Sequence, residues 1–160
     1  LAFAPEQRIW QPMRFEKNLR VRFAHVDGAG IAFYPRYFEW FHDAFEDFFE
    51  AVFGLSYAEI IAAEGIGYPT VQIAHEYRRP AHFGDVLKIE VFISRLTARS
   101  ATFEYRVWRD GELLATASIK IVGMGMQSHA PESFPAHIQE GLAAYVEQDE
   151  EGPRTERLRG

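Results

Sequence analysis

From about Tyr34 to Phe53 the chain carries a helical period of unusual aromatic content, and this segment limits the folds open to it. Phe38, Phe41, Phe45, Phe48 and Val52 recur at spacings of three and four, which brings them onto one helix face. Glu39, Asp43, Glu46 and Glu50 follow the same spacing on the opposite side. Tyr34, Tyr37, Trp40 and Phe49 widen the apolar stripe beyond what a simple surface helix needs. The pattern predicts a core helix wrapped by a curved sheet, ended by Gly54.

The rest of the chain supplies that sheet. Residues 19 to 26 alternate, with Leu19, Val21, Phe23 and His25 on one face, and this predicts a half-buried strand that turns His25 and Asp27 to the same side. A short second helix is expected over Ser56 to Glu64, ending at Gly65. Strands follow over 70–78, 86–95, 101–109 and 113–122, the last two joined by the hairpin signal Asp110-Gly111. The order β-α-α-β-β-β-β with short connections reads as an α+β fold: one long helix against a largely antiparallel sheet. Pro131 to Gln148 is expected to add an amphipathic helix through Ile138, Leu142 and Tyr145/Val146. The reading divides the chain into an N-terminal extension (1–17), the main domain (18–127), a C-terminal helical segment (128–148) and a polar, mobile tail (149–160).

Composition narrows the chemistry. A length of 160 residues with 48% hydrophobic residues suits one ordinary domain. The net charge of -6 disfavours nucleic acid as a partner, so an anionic ligand needs a local basic patch. There is no Cys, which excludes a thiolate nucleophile, disulfides and cysteine metal sites. The histidines His42, His75, His82, His129 and His137 show no metal-ligand spacing, and no metal is expected. No apolar run approaches the roughly 20 residues of a membrane span, and residues 1–8 lack the order of a signal peptide. A soluble, cytoplasmic protein is expected.

Two separated motifs carry the functional signal. The first is Phe23-x-x-x-Asp27-x-x-Gly30-Ile31-x-x-Tyr34-Pro35-x-Tyr37-Phe38, and the second is Tyr77-x-x-Pro80-Ala81-x-Phe83-Gly84-Asp85. Together, in this order and with an aromatic helix between them, they resemble the 4-hydroxybenzoyl-CoA thioesterase family of hotdog-fold proteins. The resemblance runs through about residues 18 to 125. It implies a hotdog fold, a homodimer or homotetramer, and hydrolysis of an acyl-CoA thioester to a free acid and CoA. It implies no cofactor beyond the CoA of the substrate itself, and neither nucleic acid nor membrane as a partner.

In that family the acid matching Asp27 attacks the thioester carbonyl or activates water. A carboxylate with a reference pKa of about 3.9 is ionised near neutrality and needs no further activation. Backbone N–H groups at the helix start are suited to bind the carbonyl oxygen. Pro35 has none, so the donor expected is Tyr34. Taken alone, an Asp before Gly also reads as a cap of the following turn. The glycines Gly28 and Gly30 lack the dinucleotide pattern and serve turn geometry and close substrate approach.

His25 stands where many family members carry an acid, two positions before the catalytic Asp. It can orient Asp27, adjust its pKa or protonate the leaving thiolate, or be a buried histidine bonded to a carbonyl. The turn Arg95-Leu96-Thr97-Ala98-Arg99-Ser100 resembles the one that contacts the CoA nucleotide in the family. Arg95, Arg99 and Ser100 are its candidate phosphate contacts, against an ordinary solvated hairpin turn. Arg78, Arg79 and Lys88 are weaker phosphate candidates, each read first as a surface charge. Two rival functions stay open: a hotdog dehydratase or hydratase using His25 with Asp27, and a non-catalytic acyl-CoA binder.

Overall fold

The computed structural model describes residues 13–147. Most of the N-terminal extension, Gln148 and the tail lie outside the described residues. At its centre α1 (Pro35–Phe53) starts on Pro35 and ends where Gly54 takes the left-handed φ of 73°. It buries Tyr37, Trp40, Phe41, Ala44, Phe45, Phe48 and Phe49, while Glu39, Asp43, Glu46 and Glu50 stay exposed. The aromatic face is thus buried over five turns, each large ring contributing about 2–3 kcal/mol of transfer free energy.

Five antiparallel strands wrap this helix in the order β1-β4-β5-β6-β3: β1 (Phe15–Arg20), β3 (Thr70–Tyr77), β4 (Val86–Leu96), β5 (Ser100–Arg109) and β6 (Glu112–Val122). Leu87, Ile89, Val91 and Ile93 of β4 and Ala101, Phe103, Tyr105 and Val107 of β5 are buried in the core, the period of two expected of strands with one face on the helix. Asp110 and Gly111, both at positive φ, form the two-residue turn between β5 and β6. The second helix, α2 (Tyr57–Glu64), carries a capping box in which Ser56 and Glu59 satisfy each other's backbone N–H. A minor pair, β2 (Ile66–Gly67) with β7 (Met124–Gly125), was not anticipated. The helix-in-sheet arrangement is the α+β hotdog fold.

Two expectations are corrected. The first strand ends at Arg20 and does not continue to residue 26. Its partner β4 begins at Val86, opposite Arg20, so the ladder has nothing further to pair with. Val21 N–H turns to the Asp85 carbonyl (2.8 Å), and Phe23–His25 coil into a single 3-10 turn. His25 and Asp27 therefore do not share a strand face. The C-terminal helix is shorter than expected: α3 spans Ala136–Ala143, with Pro135 as its N-cap. Ile138 and Leu142 are buried as the spacing predicted, but Ala144 and Tyr145 turn out of the helix and Val146 makes an isolated parallel bridge to Ile93 at the sheet edge. Ile93 N–H bonds the Tyr145 carbonyl (2.9 Å) and Glu147 N–H the Ile93 carbonyl (2.7 Å), beyond the end of β1.

The sheet leaves one edge open. All of β3 except His75 is exposed, including Val71, Ile73 and Tyr77 at about half of their surface. Among the described residues its only strand partner is β6.

Candidate active site

Asp27 heads a tight hairpin. Its N–H bonds the Ile31 carbonyl (3.0 Å), Gly30 N–H bonds the Asp27 carbonyl (2.9 Å), and Val26 bridges Ala32. Gly30 holds φ 76°, where a side chain is strained, so this turn requires glycine. One carboxylate oxygen, Oδ1, accepts the Ala29 N–H at 2.8 Å. The other, Oδ2, has no hydrogen-bond partner among the described residues. Asp27 thus does what a turn cap does with one oxygen, and presents the second outwards.

The Tyr34 backbone continues this geometry. Tyr34 is the N-cap of α1 in helical conformation, with no side chain capping the helix. Arg36 N–H goes to the Phe33 carbonyl (2.9 Å) and Tyr37 N–H to the Tyr34 carbonyl (3.3 Å), while Pro35 has no N–H. The N–H of Tyr34 is left without an acceptor among the described residues. The Tyr77 hydroxyl donates to the Tyr34 carbonyl (3.1 Å) and ties the helix start to the end of β3.

The second motif is the frame under the first. Ala32 N–H bonds the Ala81 carbonyl, and Val21 and Gly84–Asp85 exchange two further backbone bonds, all at 2.8 Å. Inside this frame the Asp85 carboxylate accepts from His82 N–H (2.8 Å) and the Arg109 guanidinium (2.6 Å). Burial on its own pushes the Asp85 carboxyl up, but these bonds and the charge of Arg109 hold it below its ordinary value.

Asp27, Tyr34, Tyr37 and Tyr77 line a common cavity of about 370 Å³, together with Ile31, Ala32, Pro80 and the two arginines Arg78 and Arg79. A residue with a free carboxylate oxygen and one with an unbonded N–H, lining one cavity, are the groups that attack or deprotonation at a carbonyl and binding of its oxygen call for.

The other sequence candidates are placed elsewhere. His25 accepts the Arg22 N–H through Nδ1 (2.9 Å), sets its ring edge-on to Trp40 (5.2 Å) and lines a different cavity, with Glu39 and Asp43. Burial, then the charges of Arg36 and Arg22, push its pKa down. The structure does not bring it to the Asp27 carboxylate. Arg95, Arg99 and Ser100 sit at the β4–β5 turn, where Ser100 bonds Thr97 and the Arg99 carbonyl accepts the Gly123 N–H (2.9 Å). That turn is at the far end of β4 from Asp85, roughly 33 Å along an eleven-residue strand. Within one chain it does not meet the Asp27 cavity. Arg78 and Arg79, the weaker phosphate candidates, do. The signal available was their position, between Tyr77 and Pro80 of the second motif.

Among the described residues no group of three His, Asp or Glu side chains is disposed to hold a metal ion, and no helix is long and apolar enough to cross a membrane.

Comparison with known proteins adds to this geometry. A family model described as the thioesterase-like superfamily matches residues 21–142. A 1,4-dihydroxy-2-naphthoyl-CoA hydrolase of Prochlorococcus marinus (strain MIT 9303) is 28% identical over 131 residues, covering 78% of this chain and 86% of that protein. The acyl-CoA thioesterase YbgC of Haemophilus influenzae is 21% identical over 125 residues, covering 78% of this chain and 91% of its own. Among solved structures, the gentisyl-coenzyme A thioesterase BH1999 superposes with a TM-score of 0.71 at 27% identity, covering 78% of this chain and 99% of that one.

Proposed function

The chain belongs to the thioesterase-like superfamily, and from that membership we propose that it hydrolyses acyl-CoA thioesters, with Asp27 as the reacting carboxylate and the Tyr34 N–H as the oxyanion donor. The observation that carries this reading is that Asp27 and Tyr34 line one cavity and that, among the described residues, neither the Asp27 Oδ2 nor the Tyr34 N–H has a hydrogen-bond partner. Relatives named for 1,4-dihydroxy-2-naphthoyl-CoA and gentisyl-CoA support an aryl acyl group, and the three tyrosines around the cavity offer it stacking partners.

The thioester carbonyl lies with its oxygen on the Tyr34 N–H and its carbon towards Asp27. Charge moves onto that oxygen as the carbon becomes tetrahedral, and the donor bonds it more strongly then than in the ground state. Asp27 Oδ2 either adds to the carbon itself, giving an anhydride that water later opens, or takes a proton from a water that adds. On both routes the C–S bond breaks with its electron pair on sulfur, and one water is consumed to give the acid and the thiol. The reaction needs no cofactor beyond the CoA of the substrate.

The working unit we propose is a dimer through the open edge of β3. An antiparallel partner strand there would place the partner's β3, β6 and β5 in sequence beside this chain's Tyr77. The partner's Ser100, at the matching end of its β5, would then lie about three strand spacings, or 14 Å, away. This is how Arg95, Arg99 and Ser100 would serve as phosphate contacts: for the neighbouring copy's site. The dehydratase reading loses its acid–base pair, because His25 faces another cavity.

A thiol-release screen over benzoyl, hydroxybenzoyl, short-chain and long-chain acyl-CoAs tests the reading. Steady release of CoA, fastest with the aryl esters, is expected. Binding of these esters without thiol release, or water added to or lost from a C=C bond, would overturn it.

A further inference from the structure

Arg78 and Arg79 leave β3 at the rim of the Asp27 cavity. Both backbone N–H groups share one acceptor, the Leu114 carbonyl, at 2.8 and 3.1 Å, so this corner is pinned to the start of β6. Both residues line the cavity. Besides Asp27 across the cavity, their ion-pair partners among the described residues are Glu76, 3.8 Å from Arg78, and Glu112, 3.4 Å from Arg79, in pairs where the arginines are 55% and 68% exposed. Pairs this long and this wet hold little energy, and an incoming anion can take their place. Arg78 also borders a groove of about 440 Å³ that Arg106 and Trp108 line.

We propose, resting on the acyl-CoA reading above, that Arg78 and Arg79 form an anion subsite that holds the diphosphate of the CoA moiety bound at the same chain's Asp27. Adjacent guanidinium forks match phosphate oxygens in geometry as well as charge. On a chain of net charge -6 they supply the local positive field that a phosphorylated substrate needs. The β4–β5 turn of the same chain lies at the other end of the sheet and cannot take this part.

The test is the calorimetric affinity of free CoA and of pantetheine, which lacks the phosphates, for the wild-type protein, an Arg78→Gln/Arg79→Gln variant and an Arg99→Gln variant. The wild type should bind CoA more tightly than pantetheine, and the double variant should lose about tenfold for CoA with pantetheine unmoved. Folding is checked by its circular dichroism. Unchanged CoA affinity in the double variant, an equal loss for both ligands, or a loss confined to Arg99→Gln overturns the subsite. Because binding is read without turnover, failure of the subsite and failure of the thioesterase reading are separate results.

Discussion

His75 packs against the rings of Tyr77, Phe41, Phe38 and Tyr37, at centroid distances of 4.1, 5.2, 5.3 and 5.5 Å, and neither of its buried nitrogens has a hydrogen-bond partner among the described residues. Burial pushes its pKa below the ordinary 6.5. A folded-state pKa below the unfolded one means that the unfolded chain takes up the proton first. Stability therefore falls as pH drops from about 6.5 towards the lowered value, and above 6.5 the ring is neutral in both states. His25, also lowered, acts in the same direction. Urea midpoints between pH 7 and 5 should decline, and His75→Phe should flatten that decline, leaving the share of His25. An undiminished slope would mean that the ring is not held neutral. Asp27 shows how much of a residue is legible without a structure. Its type and motif gave the candidate, whereas the division of labour between its two oxygens depends on which backbone N–H groups the hairpin aims at it.

The elements differ in how far they can be read. Helix α1 and strands β3 to β6 were legible because their periods are local and their stops are glycines and a two-residue turn. The end of β1 was not, because alternation persists past Arg20 and only the start of β4 shows that the ladder is over. The meeting of Arg78 and Arg79 with Asp27 was hidden for a related reason: it depends on the hairpin at 26–32 docking on residues 80–85, which no periodicity encodes. A similar close approach fixes the junction after β6. Gly123 is buried, its N–H bonds the Arg99 carbonyl, and a Cβ there would overlap the backbone carbonyl of Glu132. Since backbone cannot swing aside as a side chain can, Gly123→Ala should destabilise by about 1–3 kcal/mol in denaturant titration. An unchanged midpoint would show that the 131–134 segment moves freely.

At the scale of the whole molecule, one helix buried by one sheet leaves the candidate site at one end and an open strand at one edge. The long aromatic face of α1 is used up by the core, so the cavity sits at its N-terminus, where backbone donors are unsatisfied and Asp27 is brought up by a separate hairpin. The exposed edge of β3 borders the same cavity through Tyr77, so the proposed dimer contact and the proposed substrate site meet at one place. The proposed hydrolysis depends on the free oxygen of Asp27. The most direct measurement is the kcat for thiol release from an aryl-CoA by Asp27→Asn, which keeps the Ala29 contact through its amide oxygen and removes the charge. A fall of about a thousandfold or more in a protein that still melts cooperatively is the predicted result, on the scale of losing a reacting group. An unchanged kcat in the folded variant would contradict it.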